Sequence, residues 1–316
     1  MSQKICVYAI CKNELKFIDK WLENMSEADY IVVLDTGSTD GTYEKLQQDP
    51  RVTRVEQEVI TPWRFDVARN RSMDLIPDDA DILVCTDFDE LFEPGWGQYL
   101  RDNWIPGYHT RCFYNYVWGH GENNEPQKEF IYNKIHGKGF KWEYPVHEVV
   151  IPNSNTVEVV LHAEDNICLH HWQDKEKERN SYFDLLKLAI EERPTDHHMR
   201  LLYARELMNL KRNSEALMFL LDNLKQPGVD KVYEGLIMLQ NIYYIASACL
   251  ELQDYDECLW YSQQFIKIDA TYREPYFLMA RAYLSMDLYT LAEAMVSTAV
   301  KHSTRKRNWI ETDCSW

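Results

Sequence analysis

Tyr30-Ile31-Val32-Val33-Leu34-Asp35-Thr36-Gly37-Ser38-Thr39-Asp40-Gly41-Thr42 decides the fold of the first half of the chain. A short apolar run ends on a carboxylate, a glycine-bearing turn follows, and helical spacing resumes from Thr42 to Gln48. Runs of this kind, bounded by turn residues, read as buried strands. The same grammar continues on both sides. Ile5 to Ile10 reads as a strand, and Glu14 to Met25 places Leu15, Ile18 and Leu22 at helical spacing. Val52 to Val55 is predicted as a third strand, Ala68 to Leu75 as a helix and Ile82 to Cys85 as a fourth strand. From Arg111 onward the strands look mixed and aromatic, at Cys112-Phe113-Tyr114, Phe130-Ile131-Tyr132 and Val157 to Leu161. Strand and helix in alternation predict a Rossmann-like α/β sheet, mixed but mainly parallel, with ligands bound at the carboxyl ends of its strands.

After about residue 180 the pattern is helical throughout, which divides the chain into an α/β domain (1–178) and an all-α domain (179–316). Glu215-Ala216, Glu257-Cys258 and Leu291-Ala292 open similar amphipathic helices, 42 and 34 residues apart. Each follows a helix with small residues among aromatics, at Tyr203-Ala204, Ala246-Ser247-Ala248 and Ala280-Arg281-Ala282-Tyr283. A period near 34, with small residues where paired helices touch, is the tetratricopeptide pattern. The longer interval implies an insertion around Gln226 to Asp230.

The 316 residues are 27% charged and 45% apolar, an ordinary globular balance. No apolar run approaches the roughly 18 residues of a membrane span, and Met1-Ser2-Gln3-Lys4 leads directly into the first strand, so a cytoplasmic chain without integral membrane association is expected. Lys and Arg number 34 against 51 Asp and Glu, a net charge of -17 that repels a phosphate backbone and argues against nucleic acid. Eight scattered cysteines without a C-x-x-C pair read as reduced thiols.

Four segments carry candidate chemistry. Asp35, at a strand's carboxyl end, can accept from a uracil N–H or a ribose hydroxyl; Gly37 permits positive φ and Asp40 can cap the next helix. The same segment also serves as a plain turn and cap. In Thr86-Asp87-Phe88-Asp89-Glu90, the two aspartates face one way if the strand continues, and a cation between them would relieve their repulsion. All-oxygen ligation suits Mg²⁺ or Mn²⁺. An acidic surface loop is the alternative. Arg69, in Phe65-Asp66-Val67-Ala68-Arg69-Asn70, is a fixed cation for a phosphate or the acidic loops, or part of an ordinary helix start. Glu148, in Trp142-Glu143-Tyr144-Pro145-Val146-His147-Glu148, can act as a general base, and a histidine of His170-His171 can complete a metal shell, His171 ahead of His170. Packing against tryptophan is the other reading of those histidines.

Taken in order, these motifs resemble the GT-A fold of glycosyltransferase family 2. The resemblance is closer to bacterial members with Cys-Lys-Asn-Glu in the first loop (Cys11 to Glu14), a late Val-His-Glu (Val146 to Glu148), and tetratricopeptide repeats after the catalytic domain. Peptide S-glycosyltransferases that modify bacteriocins share the layout, as do lipooligosaccharide β-glucosyltransferases in their catalytic half. The resemblance covers about residues 4–175 and 182–304. It implies that Asp35 holds the base or ribose with Ile10, Cys11 and Asn13 lining the same pocket, and that Asp40 and Arg69 steady the nucleotide. It also implies that Asp87 reaches the ribose or a metal-bound water, that Asp89 binds Mn²⁺ or Mg²⁺ directly, and that His171 is a third or outer ligand. Glu148 would be the base, with His147 as runner-up. Phe88 departs from the smaller residue usual between the aspartates and would narrow the sugar pocket.

The implied activity is inverting transfer of a sugar from a nucleotide donor, UDP-glucose or a related UDP-hexose. The acceptor would be a peptide, protein or glycan presented near the repeats. Two alternatives stand beside it: a tetratricopeptide scaffold with an inactive first domain, and a nucleotidyltransferase, although Cys11-Lys12-Asn13-Glu14 lacks the glycine of a phosphate-gripping loop.

Overall fold

A computed structural model describes residues 3–173, 182–231 and 235–302. The chain divides into two compact units, Met1–Arg179 and Asn180–Trp316.

The first unit is built on β1 (Ile5–Cys11), α1 (Ile18–Asn24), β2 (Tyr30–Asp35), α2 (Thr42–Gln48), β3 (Arg54–Gln57), α3 (Phe65–Met73) and β4 (Ile82–Cys85). There follow β5 (Glu90–Phe92), α4 (Trp96–Asn103), β6 (Arg111–His120), β7 (Pro126–His136), β8 (Phe140–Glu143), β9 (Val149–Pro152), β10 (Val160–His162) and β11 (Cys168–His171). Nine strands form one mixed sheet in the order β3-β2-β1-β4-β7-β6-β11-β5, with β10 also pairing β6; β8 and β9 pair separately. β1 to β4 are mutually parallel, while β7 runs against both β4 and β6. The chain lays β2 and β3 on one side of β1 and then crosses to place β4 on the other. In sheets of this kind such a reversal is where a crevice opens, here at the carboxyl ends of β1 and β4.

β1 is apolar throughout because both of its faces are covered. Ile5, Val7 and Ala9 meet Trp21 and Leu22 of α1, while Cys6 and Tyr8 face Leu75, Phe140 and Trp142. Each large side chain fully buried this way contributes about 1.5–3 kcal/mol.

Several boundaries differ from the expectations. Glu14–Phe17 forms a turn, closed by the Phe17 N–H on the Glu14 carbonyl at 2.9 Å, so the first helix begins only at Ile18. The third strand is Arg54–Gln57, two residues later than expected; it is a largely exposed edge strand placed by its ladder to β2 rather than by apolar content. The third helix starts at Phe65, ahead of the apolar spacing, and the late strand is Val160–His162.

The second unit contains α5 (Tyr182–Glu192), α6 (His197–Asn209), α7 (Asn213–Lys225), α8 (Leu236–Glu251), α9 (Tyr255–Ile268), α10 (Glu274–Ser285) and α11 (Tyr289–Lys301). Ala204, Ala216, Ala246, Ala248, Cys258 and Ala282 are fully buried, where small side chains let neighbouring helices approach. This is a tetratricopeptide-like helical repeat. The longer interval arises from the connection after α7 and from α8, which runs 16 residues against 12 in α10. At its centre Asn223 is fully buried; its Nδ2 donates to the His197 carbonyl and Asn241 Oδ1, both at 3.0 Å, and its Oδ1 accepts from Arg200 Nε at 3.2 Å. Among the described residues no helix is long and apolar enough to cross a membrane.

Candidate active site

The crevice is walled by two interlocked loops. Asn13, at φ 58, donates its backbone N–H to Ser38 Oγ (2.8 Å), and its side chain accepts from the Thr39 N–H (2.8 Å). The Glu14 N–H donates to Thr42 Oγ1 (2.9 Å) and the Leu15 N–H to Asp40 Oδ2 (3.2 Å). Asp40 therefore ties the first loop to the start of α2: Gly41 holds the N-cap position, at φ 95, and Asp40 Oδ1, one residue ahead, accepts the Thr42 N–H at 3.0 Å. Asp35 is fully buried, and its Oδ1 accepts from the N–H groups of Gly37 and Ser38 and from Gln57 Nε2 at 2.8–2.9 Å. Burial pushes its pKa up, but these donors outweigh it and leave the carboxyl below its usual range. Cys11 Sγ lies 3.4 Å from Asp35 Oδ2, with its pKa driven up by burial and then by that carboxylate. Ile10 is half-buried beside it. In this arrangement Asp35 organises the loop rather than facing solvent.

Asp87 to Glu90 is a turn, closed by the Glu90 N–H on the Asp87 carbonyl at 3.0 Å. The strand does not continue, so the two aspartates do not share a strand face. Asp87 Oδ1 pairs with Arg69 Nη2 at 2.7 Å, and its Oδ2 lies 3.4 Å from Lys134 Nζ. The cation that relieves Asp87 is thus Arg69, reinforced by Lys134. Arg69 also reaches Glu148 Oε1 at 3.0 Å and lies over the Trp142 ring at 5.4 Å. Burial opposes its charge, yet Asp87 and Glu148 more than offset that and hold its pKa well above the ordinary value. Lys134 behaves the same way between Asp87 and Glu90. Burial raises Glu90, which accepts from the Asp87 N–H (2.9 Å), the Tyr116 hydroxyl (2.8 Å) and Lys134 (3.3 Å). Phe88 points away from the crevice: it is buried and stacked on Trp21 at 4.2 Å, so it anchors the turn and does not narrow a sugar pocket.

Asp89 lies on the other side of the turn, where its Oδ2 approaches His171 Nε2 at 3.2 Å. His171 Nδ1 is buried without a hydrogen-bond partner. His170, the residue before it on β11, faces the opposite side of the sheet, which separates the two histidines. Glu148 is reached through a strained loop: Tyr144 and His147 adopt φ 79 and 50. Non-glycine residues there cost on the order of 1–3 kcal/mol each and collect at functional sites. The Phe65 N–H on the Pro145 carbonyl (3.0 Å) and a reciprocal Asn70–Trp142 pair (2.9 Å each) pin α3 to that loop.

No protein-family model and no curated protein matches the chain. Solved structures of the tetratricopeptide protein MamA match the C-terminal part. MamA from Desulfovibrio magneticus RS-1, residues 41 to the end, is 15% identical over 39% of this chain and 66% of its own, at a TM-score of 0.34. A MamA crystal structure gives 15% identity over 42% of this chain and 76% of its own, also at 0.34. At those scores the likeness adds nothing to the helix pairing already described.

Asp87, Asp89, Arg69 and Glu148 are candidates already in the sequence, whereas Lys134, Glu90 and Tyr116 join them only in the structure. The available signal was Lys134 itself, a cation within the run from Phe130 to Ile135. Three carboxylates (Asp87, Glu90, Glu148) converge here on two cations, Arg69 and Lys134, and Asp89 beside His171 is a fourth, a formal excess of two negative charges over the two cations. One divalent ion would neutralise that excess. A carboxylate oxygen beside an imidazole nitrogen is a donor pair that fits Mn²⁺ better than Mg²⁺.

Proposed function

We propose that the first unit is a metal-dependent inverting glycosyltransferase acting on a nucleotide-diphosphate sugar, most simply a UDP-hexose such as UDP-glucose. The observation that supports it most is the convergence of Asp89 and His171, 3.2 Å apart, beside the Arg69-linked carboxylates at the sheet's reversal point. Asp89 and His171 would hold the cation, which supplies charge stabilisation to the departing diphosphate. Arg69 fixes Glu148 Oε1, leaving Oε2 to take the acceptor's proton. Lys134 and Arg69 keep Asp87 fixed at the mouth of the crevice. The helical repeats would present a peptide, protein or glycan acceptor, a common use of such arrays.

The test is release of nucleoside diphosphate from a panel of UDP- and GDP-sugars with and without Mn²⁺. Asp89→Ala should lower metal-dependent turnover at least ~100-fold while circular dichroism stays unchanged. Undiminished turnover in that variant would sink the mechanism. One observation favours a second reading, a scaffold with an inactive first unit: Asp87 is already satisfied by Arg69 and Lys134 without any metal. No hydrolysis, together with no thermal shift from any nucleotide or Mn²⁺, would select it.

A further inference from the structure

Alternate residues of a strand face opposite ways, and β11 uses both of its faces. Leu169 and His171 lie opposite Phe92 and Glu90 of β5, with Leu169, Phe92 and Glu90 buried in the sheet. Cys168 and His170 turn to the other face. Glu93 joins them, because its N–H donates to the Cys168 carbonyl at 2.9 Å and so continues the antiparallel ladder. Residues directly opposite in such a ladder share a face.

His170 Nε2 consequently lies 3.1 Å from Glu93 Oε1 and 3.5 Å from Cys168 Sγ, and the three atoms all fall within 4.8 Å of one another. Donors bound about 2.0–2.3 Å from a tetrahedral zinc ion are themselves roughly 3.3–3.8 Å apart. The spacing is therefore close to that of a zinc shell. On the far side of the ring, His170 Nδ1 is 2.9 Å from His120 Nε2, and the His120 ring lies flat on Trp172 at 4.0 Å and 7°. When His170 Nδ1–H donates to His120, the Nε2 lone pair is directed at Glu93 and Cys168. A hydrogen bond on the rear nitrogen commonly orients a metal-binding imidazole in this way.

We propose that Glu93, Cys168 and His170 form a zinc site with nitrogen, sulfur and oxygen ligands, a water in the fourth position and His120 as the residue that positions His170. The ion clamps the end of β5 to β11, the strand pair that sets His171 opposite Glu90. The site is chemically distinct from the Asp89–His171 pair. Thiolate selects zinc, cobalt or cadmium, whereas Mn²⁺ and Mg²⁺ prefer oxygen. It does not depend on the transferase reading.

The experiment is a Co²⁺ titration of the full, reduced and metal-stripped chain. One equivalent should raise a thiolate-to-cobalt charge-transfer band in the near ultraviolet, and Zn²⁺ should displace it. Cys168→Ser should abolish the band, and His120→Ala should weaken Co²⁺ binding ~10–100-fold. Asp89→Asn should leave the band intact, which separates this site from the proposed catalytic one. Absence of the band in the native chain would overturn the proposal. So would its persistence at full strength in Cys168→Ser, provided that variant shows the native circular dichroism and metal-free melting midpoint.

Discussion

Two buried polar clusters, one in each unit, solve the same problem in opposite ways. In the helical unit Asn223, Asn241 and His197 are amide and imidazole groups that meet one another or backbone carbonyls, and the ion pair of Arg200 with Asp222 ends at an exposed carboxylate. In the sheet unit Arg69 and Lys134 are buried cations that tie the buried Glu90 and the largely buried Glu148 to Asp87, a carboxylate that stays 36% exposed at its side chain. A network of neutral groups that satisfies itself fixes a packing arrangement and has no capacity left over. A network of charges with an anionic excess stays stable only in a particular electrostatic setting, and that setting is what a charged ligand can change. The contrast is the physical reason to place function in the first cluster and scaffolding in the second.

The sharpest way to break this comparison is Arg69→Met. It takes the guanidinium away from both Asp87 and Glu148. Removing one partner of a buried ion pair costs about 3–5 kcal/mol. The urea midpoint of the sheet unit should fall accordingly, and donor turnover should vanish with it. A loss below about 1 kcal/mol would mean that water already screens the pair and that the cluster is not truly buried.

A neutral chain of bonds beneath that cluster gives the next largest effect. Tyr8 Oη lies 2.7 Å from His136 Nε2 and accepts from Trp142 Nε1 at 3.0 Å, while His136 Nδ1 meets the Gly137 carbonyl at 2.7 Å. Burial holds the His136 pKa down at about 4, below the roughly 6.5 of an unfolded chain. Between those values the unfolded chain takes up a proton that the native imidazole refuses. Stability is therefore full above about pH 6.5 and declines as pH falls, by about 3 kcal/mol at pH 4. His136→Gln, compared with the native chain by urea unfolding across that range, should remove this part of the slope. An identical slope would place the titration elsewhere.

The sequence made the strand-helix alternation and the repeat period plain because both are periodic burial patterns, and burial is what drives each element to form. β1 and β2 were legible as continuous apolar runs. β3 was displaced by two residues because an exposed edge strand is held by its ladder, which composition does not record. The residue types of the site were equally legible in Asp87, Asp89, Arg69 and Glu148. Their pairing was not: the bridge from Arg69 to Glu148 joins residues 79 apart, and the turn at Phe88 separates two aspartates that strand geometry would have aligned. The opposite facing of His170 and His171 follows from strand alternation, but only once β11 is known to be a strand with a partner on each side.

In the helical unit Asn223→Ala tests whether a self-satisfied network is purely structural. It takes a buried partner away from Asn241 Oδ1 and from Arg200 Nε and should cost about 2 kcal/mol. The second unit's thermal transition should drop while donor hydrolysis by the first is unchanged.

Asp222→Asn should have the smallest effect and most directly isolates the contrast. Arg200 is largely buried over the Phe219 ring at 4.7 Å, with Nε on Asn223 Oδ1 at 3.2 Å and Nη1 on the Pro194 carbonyl at 3.0 Å. Asp222 puts a carboxylate on that guanidinium, yet 59% of its side chain is exposed. Ion pairs with one partner in water contribute about 0–1 kcal/mol because solvent competes for the charge. The asparagine variant should therefore melt within about 0.5 kcal/mol of the native chain, at low and high salt alike. A larger, salt-dependent loss would show that Arg200 relies on Asp222 as Arg69 relies on its carboxylates, and the two clusters would then differ in exposure alone and not in kind.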